Sequence, residues 1–354
     1  MNQSSSATER QTPDSRLKDF IGRLMRREDL ARSEANGLLD ALLDGDATDG
    51  QIAATLIALK LKGETVEELA GLAEGMRARA VRIQSRHKRF IDTAGTGSSS
   101  AKCFNVSTAA AFVIAGAGLP VAKHGNRAAS SKCGSADVLS ALGVNVSVAP
   151  EVSERCLNEL GICFMFAPLY HGATARVAGI RRQLGVQTTF NLLGPLTNPA
   201  SAPRQVIGVS NHDVVEPMAR TLSMLGTERA WVVHGADGLD EITLTGKTFI
   251  AEASGANVRM FEIAPEDFGL ERSTLDDLGG GDAEANAVII RDVLAGKRRH
   301  EARSLVVINA AAALHVGGAA ADYTEGARLA EDSIDSGRAT QMLEELARIT
   351  TGAP

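Results

Sequence analysis

The chain has 354 residues, 44% of them hydrophobic and 23% charged, with a net charge of −6. That balance supports a sizeable buried core, excludes global disorder and argues against a broad nucleic-acid surface. No apolar run is long enough to span a bilayer, and the four cysteines, Cys103, Cys133, Cys156 and Cys163, show no CxxC pairing, which fits reduced thiols in a cytoplasmic protein better than a disulfide framework or a zinc site.

Residues 1–15 are polar and are expected to form a disordered tail. Residues 16–87 are expected to form a small helical domain. Within it, apolar residues recur at three- and four-residue spacing in 33–45, in Thr48–Lys62 with Thr48 as cap and Gly63 as stop, and in Thr65–Ala80. These helices carry more apolar surface than a lone hairpin buries, so they pack either on the rest of the chain or partly on a second copy. Residues 88–354 are expected to form a larger α/β domain, with a helical excursion near 170–190 that returns to the small domain. Its strand candidates are Phe90–Thr93, Pro120–Lys123, Val144–Val146, Cys163–Phe166, Gln205–Gly208, Ala230–Val233 and Ser304–Val307. Helix candidates are Ser107–Gly116, Ala136–Leu142, Pro150–Leu160, Val214–Leu225, Ala283–Ala295 and Tyr323–Ser336, and Phe261–Gly281 reads as irregular or a β-ribbon. This alternation predicts a mainly parallel sheet covered on both faces.

Three segments carry chemistry. The first, FIDTAGTGSSSAKCFNVST from Phe90 to Thr108, runs from strand through a Gly/Ser loop to a helix start. Glycines let backbone amides approach an anion, and a helix N-terminus offers unpaired N–H groups, so the loop suits phosphate or pyrophosphate. A plain turn in which Ser107 or Thr108 caps the helix is the alternative. The second segment is KHGNRAASS, Lys123–Ser131. It places Lys123, His124, Asn126 and Arg127 at a strand's carboxyl end, where open α/β sheets bind ligands; its cations suit phosphate. The third is GADGLDEIT, where the adjacent acids Asp240 and Glu241 are hard oxygen ligands suited to Mg²⁺ bridged to phosphates. Asp237 adds charge there or serves as a turn residue.

Together these segments resemble the anthranilate phosphoribosyltransferases of tryptophan biosynthesis. The likeness runs from about Leu17 to Arg348 and includes FNVSTAAAFVIAGAG, KHGNRAASSKCGSADVLSALGVNV, FAPLYH (Phe166–His171), IRRQLGVQTTFNLLGPLTNPA (Ile180–Ala200), GADGLDEIT and NAAAALHVGG (Asn309–Gly318). The resemblance implies a small helical domain plus a larger α/β domain of the nucleoside phosphorylase/phosphoribosyltransferase class. It implies a homodimer formed through the N-terminal helices; the acidic balance argues against a nucleic-acid partner, and the lack of a long apolar run against a membrane. The implied reaction is displacement of pyrophosphate from 5-phosphoribosyl 1-pyrophosphate by the amine of anthranilate, with Mg²⁺ as cofactor. Carried over by position, the donor contacts are Gly95, Ser98, Ser99, Cys103, Asn105, Ser107, Thr108, Lys123, Asn126, Arg127, Ser131 and Ser135. Anthranilate contacts are His124, Asn126, Ala167, His171, Arg181 and Pro195. The metal falls to Ser107, Asp240 and Glu241, and the catalytic roles to His124 and Arg181. Independently of the resemblance, Arg181 lies inside a mostly apolar, glycine-bounded segment, a setting that suits a substrate carboxylate; a surface arginine beside Arg182 is the alternative.

The chain departs from the family pattern in places. Where the family has Gly-Thr-Gly-Gly-Asp-Gly, this chain turns to Ser98, Ser99 and Ser100, and Cys103 stands in a threonine's place. A serine hydroxyl at Ser99 hydrogen-bonds but does not carry the charge of the family's aspartate. Gly172 replaces a proline and Gln187 an arginine. These changes keep other readings open: a paralogue with another aromatic-acid acceptor, a pyrimidine nucleoside phosphorylase, and a non-catalytic binder of nucleic acid or of a partner.

Overall fold

The computed structural model describes residues 14–97, 103–128, 132–274, 278–298 and 300–352. In chain order the elements are α1 (Ser15–Met25), α2 (Arg32–Leu43), α3 (Asp49–Lys62), α4 (Val66–Arg79), β1 (Ile91–Gly95), α5 (Val106–Gly116), β2 (Val121–Gly125), α6 (Ser135–Ala141), α7 (Pro150–Glu159) and β3 (Ile162–Phe166). They continue with α8 (Ala167–Tyr170), α9 (Ala175–Leu184), α10 (Phe190–Leu196), β4 (Arg204–Gly208), α11 (Val215–Met224), β5 (Arg229–Gly235), β6 (Thr248–Ser254), β7 (Asn257–Ile263), α12 (Ala283–Leu294), α13 (Glu301–Val316), α14 (Tyr323–Asp335) and α15 (Arg338–Thr351).

The helical domain starts on explicit caps. Asp14 accepts the backbone N–H groups of Arg16 and Leu17 ahead of α1, and Thr48 with Gln51, then Thr65 with Glu68, close reciprocal capping boxes on α3 and α4. Only Asp14 and Ser15 of the expected tail fall among the described residues, and Ser15 already opens α1. The seven strands lie in the order β3-β2-β1-β4-β5-β6-β7. Pairing is parallel from β3 to β5, and the β5–β6 and β6–β7 pairs are antiparallel. The sheet is thus mainly parallel, as its alternation with helices predicts.

Strand alternation sends successive residues to opposite faces and so divides the interior into two cores. Val206, Trp231, Val233 and Ile250 join the core built on α5, α12 and α13. Ile207, Val232, Ala251 and Ala253 join a second core that continues through α10 and α11 into α2, α3 and α4. The small domain is tied to this second face by Arg77, whose Nε donates to Leu196 O at 2.7 Å and whose Nη1 donates to Leu225 O at 3.2 Å. Burial lowers that guanidinium to about 10. On the same seam Thr189 Oγ1 donates to Glu64 at 2.7 Å.

Two expected strands are absent. Val144–Val146 is a loop: Val144 N–H closes on Leu139 O behind the left-handed Gly143, and Asn145 N–H donates to Thr350 of α15. Val144 and Val146 are buried in the core built on α5, α12 and α13 and pair with no strand. Ser304–Val307 lies inside α13, a helix buried almost all round, and an apolar run of this kind has the same local pattern as a buried strand. The β6–β7 hairpin, in turn, begins well before the irregular segment expected from Phe261, and α15 follows α14 unanticipated.

Candidate active site

The carboxyl ends of β1, β2 and β4 converge with the loop after β5. Lys123 and His124 are consecutive on β2 and point to opposite faces, so the strand end divides the site in two.

On the α5 face Lys123, only 4% exposed, donates through Nζ to Ser107 Oγ at 3.3 Å and to the Thr93 carbonyl. Ser107 N–H, in the first turn of α5, donates to Glu241 Oε1 at 3.2 Å. Close approach of the acidic loop depends on two glycines. A Cβ at Gly208 would lie 1.7 Å from the Asp240 carbonyl oxygen, and one at Gly95 would lie 3.3 Å from Asp240 Oδ2. Burial, then repulsion from Asp240, raises the Glu241 carboxyl; burial also raises that of Asp240. Lys123 is pushed down by burial, with Asp92 and Glu241 drawing it back toward charge. Cys103 lies in the field of the same acids, and burial followed by Glu241 raises its thiol, so it stays a neutral S–H. Two acids held together under desolvation favour a hard cation, and among the described residues no cluster of three or more His, Cys, Asp or Glu supplies a protein-only cage. Asp240, Glu241 and the Ser107 hydroxyl are hard oxygen donors of the kind that suits Mg²⁺. Asp237 is a turn residue: it accepts from Thr243, from Thr245 at 2.8 Å and from Leu239 N–H at 3.1 Å.

On the α10 face His124 Nδ1 lies 3.2 Å from the Gly194 carbonyl, which only an N–H can satisfy, so the Nε2 lone pair is left free. The His171 ring lies 5.2 Å away. Burial, then His171, lowers His124 to about 3; burial also lowers His171. Both rings are neutral at ordinary pH. Arg181 Nη2 donates to Asn191 Oδ1 at 3.0 Å, its guanidinium lies 5.6 Å from the Phe190 ring centre, and burial lowers its basicity. Asn191 and Gly194 are three residues apart on α10, hence on one side of it, which brings Arg181 and His124 to the same helix face. Ala167 opens α8 directly after β3, and Pro195 lies inside α10 with its carbonyl held by Gln205.

At the outer rim Asn126 and Arg127 are exposed. Arg127 pairs with Asp137 at 2.9 Å and lies over the Phe166 ring, while Ser135 Oγ donates to Asn126 O at 3.3 Å. Gly134 allows this turn, since a Cβ there would lie 2.4 Å from Ala128 N. Asn105 bridges scaffold pieces: Nδ2 donates to Cys133 O at 3.3 Å and Oδ1 accepts from Asn286 at 3.0 Å. Ser98, Ser99 and Ser131 lie outside the described residues. Among the described residues, the buried side-chain polar atoms without a hydrogen-bond partner include Thr108 Oγ1, His124 Nε2, His171 Nε2 and Arg181 Nε. A buried polar atom without a protein partner marks a place where water, an ion or a ligand can supply one.

Three supporting residues escaped sequence reasoning. Asp92, fully buried, accepts His124 N–H at 3.2 Å and Asn198 Nδ2 at 2.7 Å, and burial lifts its carboxyl to about 6 against the pull of Lys123. Asn198 also donates to Ala122 O at 2.9 Å, holding β2 one residue before Lys123. Asn286 holds Asn105. The available signal was a charge or carboxamide inside an otherwise apolar run, as in FIDTAG and LTNPA.

Known proteins share this chain's sequence pattern and fold. A family model described as "Glycosyl transferase family, helical bundle domain" matches residues 18–80, and one described as "Glycosyl transferase family, a/b domain" matches 87–340. An anthranilate phosphoribosyltransferase from Persephonella marina is 48% identical over 337 residues, 95% of this chain and 99% of its own. The crystal structure of the Thermus thermophilus anthranilate phosphoribosyltransferase superposes with a TM-score of 0.88 at 39% identity, covering 94% of this chain and 99% of that one. The Saccharomyces cerevisiae enzyme in complex with PRPP and Mg gives 0.87 at 26% identity, over 96% and 99% of the two chains.

Proposed function

This chain belongs to the anthranilate phosphoribosyltransferase family, and from that membership we infer that the two faces of β2 divide the family's reaction between them. The protein is a glycosyltransferase of tryptophan biosynthesis that moves the phosphoribosyl group of phosphoribosyl pyrophosphate to the amine of anthranilate. The phosphoribosyl donor lies on the α5 face. Lys123 and the N–H groups at the start of α5 meet its phosphates, with Arg127, Asn126 and Ser135 at the rim. Asp240, Glu241 and Ser107 hold Mg²⁺, which would offset charge on the departing pyrophosphate. The acceptor lies on the α10 face, its carboxylate on Arg181 and its ring among His171, Ala167 and Pro195.

As the bond from the anomeric carbon to pyrophosphate breaks, a bond to the arylamine nitrogen forms, leaving that nitrogen one proton in excess. Its lone pair is already free at neutral pH, so no strong base is needed to start the reaction. His124 Nε2 accepts the surplus proton; a base this weak suffices because an arylammonium is itself strongly acidic. Most of the acceleration comes from alignment and fixed charge. The observation that carries this reading is the set of unpaired buried atoms on Thr108, His124, His171 and Arg181, which accompany the two acids around one strand end.

The protein works in the cytoplasm as a homodimer. The location is supported by four cysteines that form no disulfide. Exposed Met25 and Leu61, at the end of α1 and in α3, support pairing through the small domain; Met25→Glu should shift the sedimenting species toward the monomer. The decisive experiment follows loss of anthranilate fluorescence with donor present during a Mg²⁺ titration. Turnover that saturates with Mg²⁺ supports the reading. Turnover unaffected by a chelator removes the metal assignment, and donor consumption only with another aromatic acid moves the acceptor assignment.

A further inference from the structure

We propose that Asn309 is a positioning residue for the Asp240–Glu241 pair, a role that rests on reading those acids as the metal ligands. Thirteen of the sixteen residues of α13 are buried, and of these only Arg303 and Asn309 carry strongly polar side chains. Arg303 reaches out to Asp335 at 2.9 Å. Asn309, 5% exposed, turns to the acidic loop instead. Its Oδ1 accepts Ile242 N–H at 2.9 Å, and its Nδ2 donates to Ile242 O and to Leu305 O, each at 2.9 Å.

The geometry is specific to the residue that follows Glu241. Ile242 N–H belongs to the peptide leaving Glu241, and Ile242 C=O to the peptide entering Thr243. One carboxamide therefore fixes two successive peptide planes. Neighbouring contacts secure the flanks: Asp237 holds Leu239, and Thr248 Oγ1 accepts Thr243 N–H at 3.1 Å. Behind the loop, the bare Cα of Gly208 sets how close Asp240 comes to β4. Between these supports, the side-chain grip on Ile242 comes from Asn309. An apolar residue would pack α13 equally well, and a buried amide costs stability unless every polar atom is paired. All of this amide's bonding goes to α13 itself and to the backbone beside the metal acids, where outer supports tune ligand geometry.

The test compares Asn309→Ala with the parent. Support is a Mg²⁺ midpoint raised about tenfold, a raised donor KM, an unchanged anthranilate KM, and faster amide hydrogen exchange across 239–243 in the metal-free protein. Exchange in the first turns of α13 should stay slow. A merely structural role would lower Tm and the active fraction but leave the Mg²⁺ midpoint and the exchange of 239–243 unmoved, and that result overturns the proposal. Asn309→Leu, which fills the volume but cannot hold Ile242, supplies the same readouts if the alanine variant does not fold. Glu241→Gln separates the premise from the proposal. If it leaves the Mg²⁺ midpoint in place, the metal reading falls, and the exchange of 239–243 alone decides whether Asn309 holds the loop.

Discussion

On one face of β2, Lys123 meets Ser107 and an adjacent pair of acids; on the other, His124 meets a carbonyl and a second neutral imidazole. Both side chains are buried and consecutive in sequence, yet their surroundings act differently on them. Burial works against the proton on both, but Asp92 and Glu241 draw Lys123 back toward charge, whereas His171 adds to the burial of His124 and the Gly194 carbonyl alone favours its proton. On the function proposed above, the first face manages charge that changes during reaction, and the second holds a flat, weakly basic acceptor with Arg181 as the cation for its carboxylate. Strand alternation makes the separation possible without intervening chain, because a single residue step moves from one chemistry to the other.

Removing charge from the first face should produce the largest loss. Glu241→Gln is expected to lower kcat/KM for the donor roughly 10²–10³-fold, while anthranilate binding, followed by its fluorescence, is retained. Equal damage to donor and acceptor binding would mean that the faces are not separate. Arg181→Ala is the reciprocal test and a smaller one. Loss of a charge-assisted pair with the acceptor carboxylate should raise the anthranilate KM roughly 10- to 100-fold, with donor KM and Mg²⁺ midpoint unmoved. A raised donor KM would place Arg181 in the phosphate cradle instead.

The same division explains what was legible in the chain. The α5 face could be read because its ligands are clustered by local rules: glycines beside a helix start, cations at a strand end, two acids in one turn. The α10 face is assembled from β2, the turn after α8, α9 and α10, with Arg181 and Gly194 brought near His124 only by the fold; Ala167, His171 and Pro195 came from the family likeness alone. The supports Asp92, Asn198 and Asn309 hold backbone groups 32, 76 and 67 positions away, separations that local pattern does not encode. The sheet was legible where strands alternate with helices. It was misread at Ser304–Val307 because a helix buried on every side has no polar stripe to show its period. The β7 strand was obscure for the opposite reason: it is an edge strand exposed at most positions, with little apolar alternation to find.

The smallest expected effect tests whether the α10 face is as dry as its contacts indicate. Burial takes His124 from an ordinary 6.5 down to about 3 in the folded chain. Between those limits the unfolded chain binds the proton and the native one does not, so this residue favours folding above pH 6.5 and the gain is lost as pH falls. One such proton corresponds to about 1.4 kcal/mol per pH unit. Asp92 opposes it: with its carboxyl lifted from 3.8 to about 6, it weakens folding as pH rises through that interval. The two trends overlap in wild-type melts, and a difference experiment separates them, because Asp92 bonds the backbone of His124 and not its ring. Denaturant unfolding of wild type and His124→Gln at pH 6 and pH 5 should therefore give stability slopes that differ by about 1.4 kcal/mol per unit, wild type losing more on acidification. Equal slopes would mean that the His124 ring takes a proton in the folded protein as readily as in the unfolded one. The acceptor face would then be wet, and His124 a conventional base rather than the weak one its burial makes it.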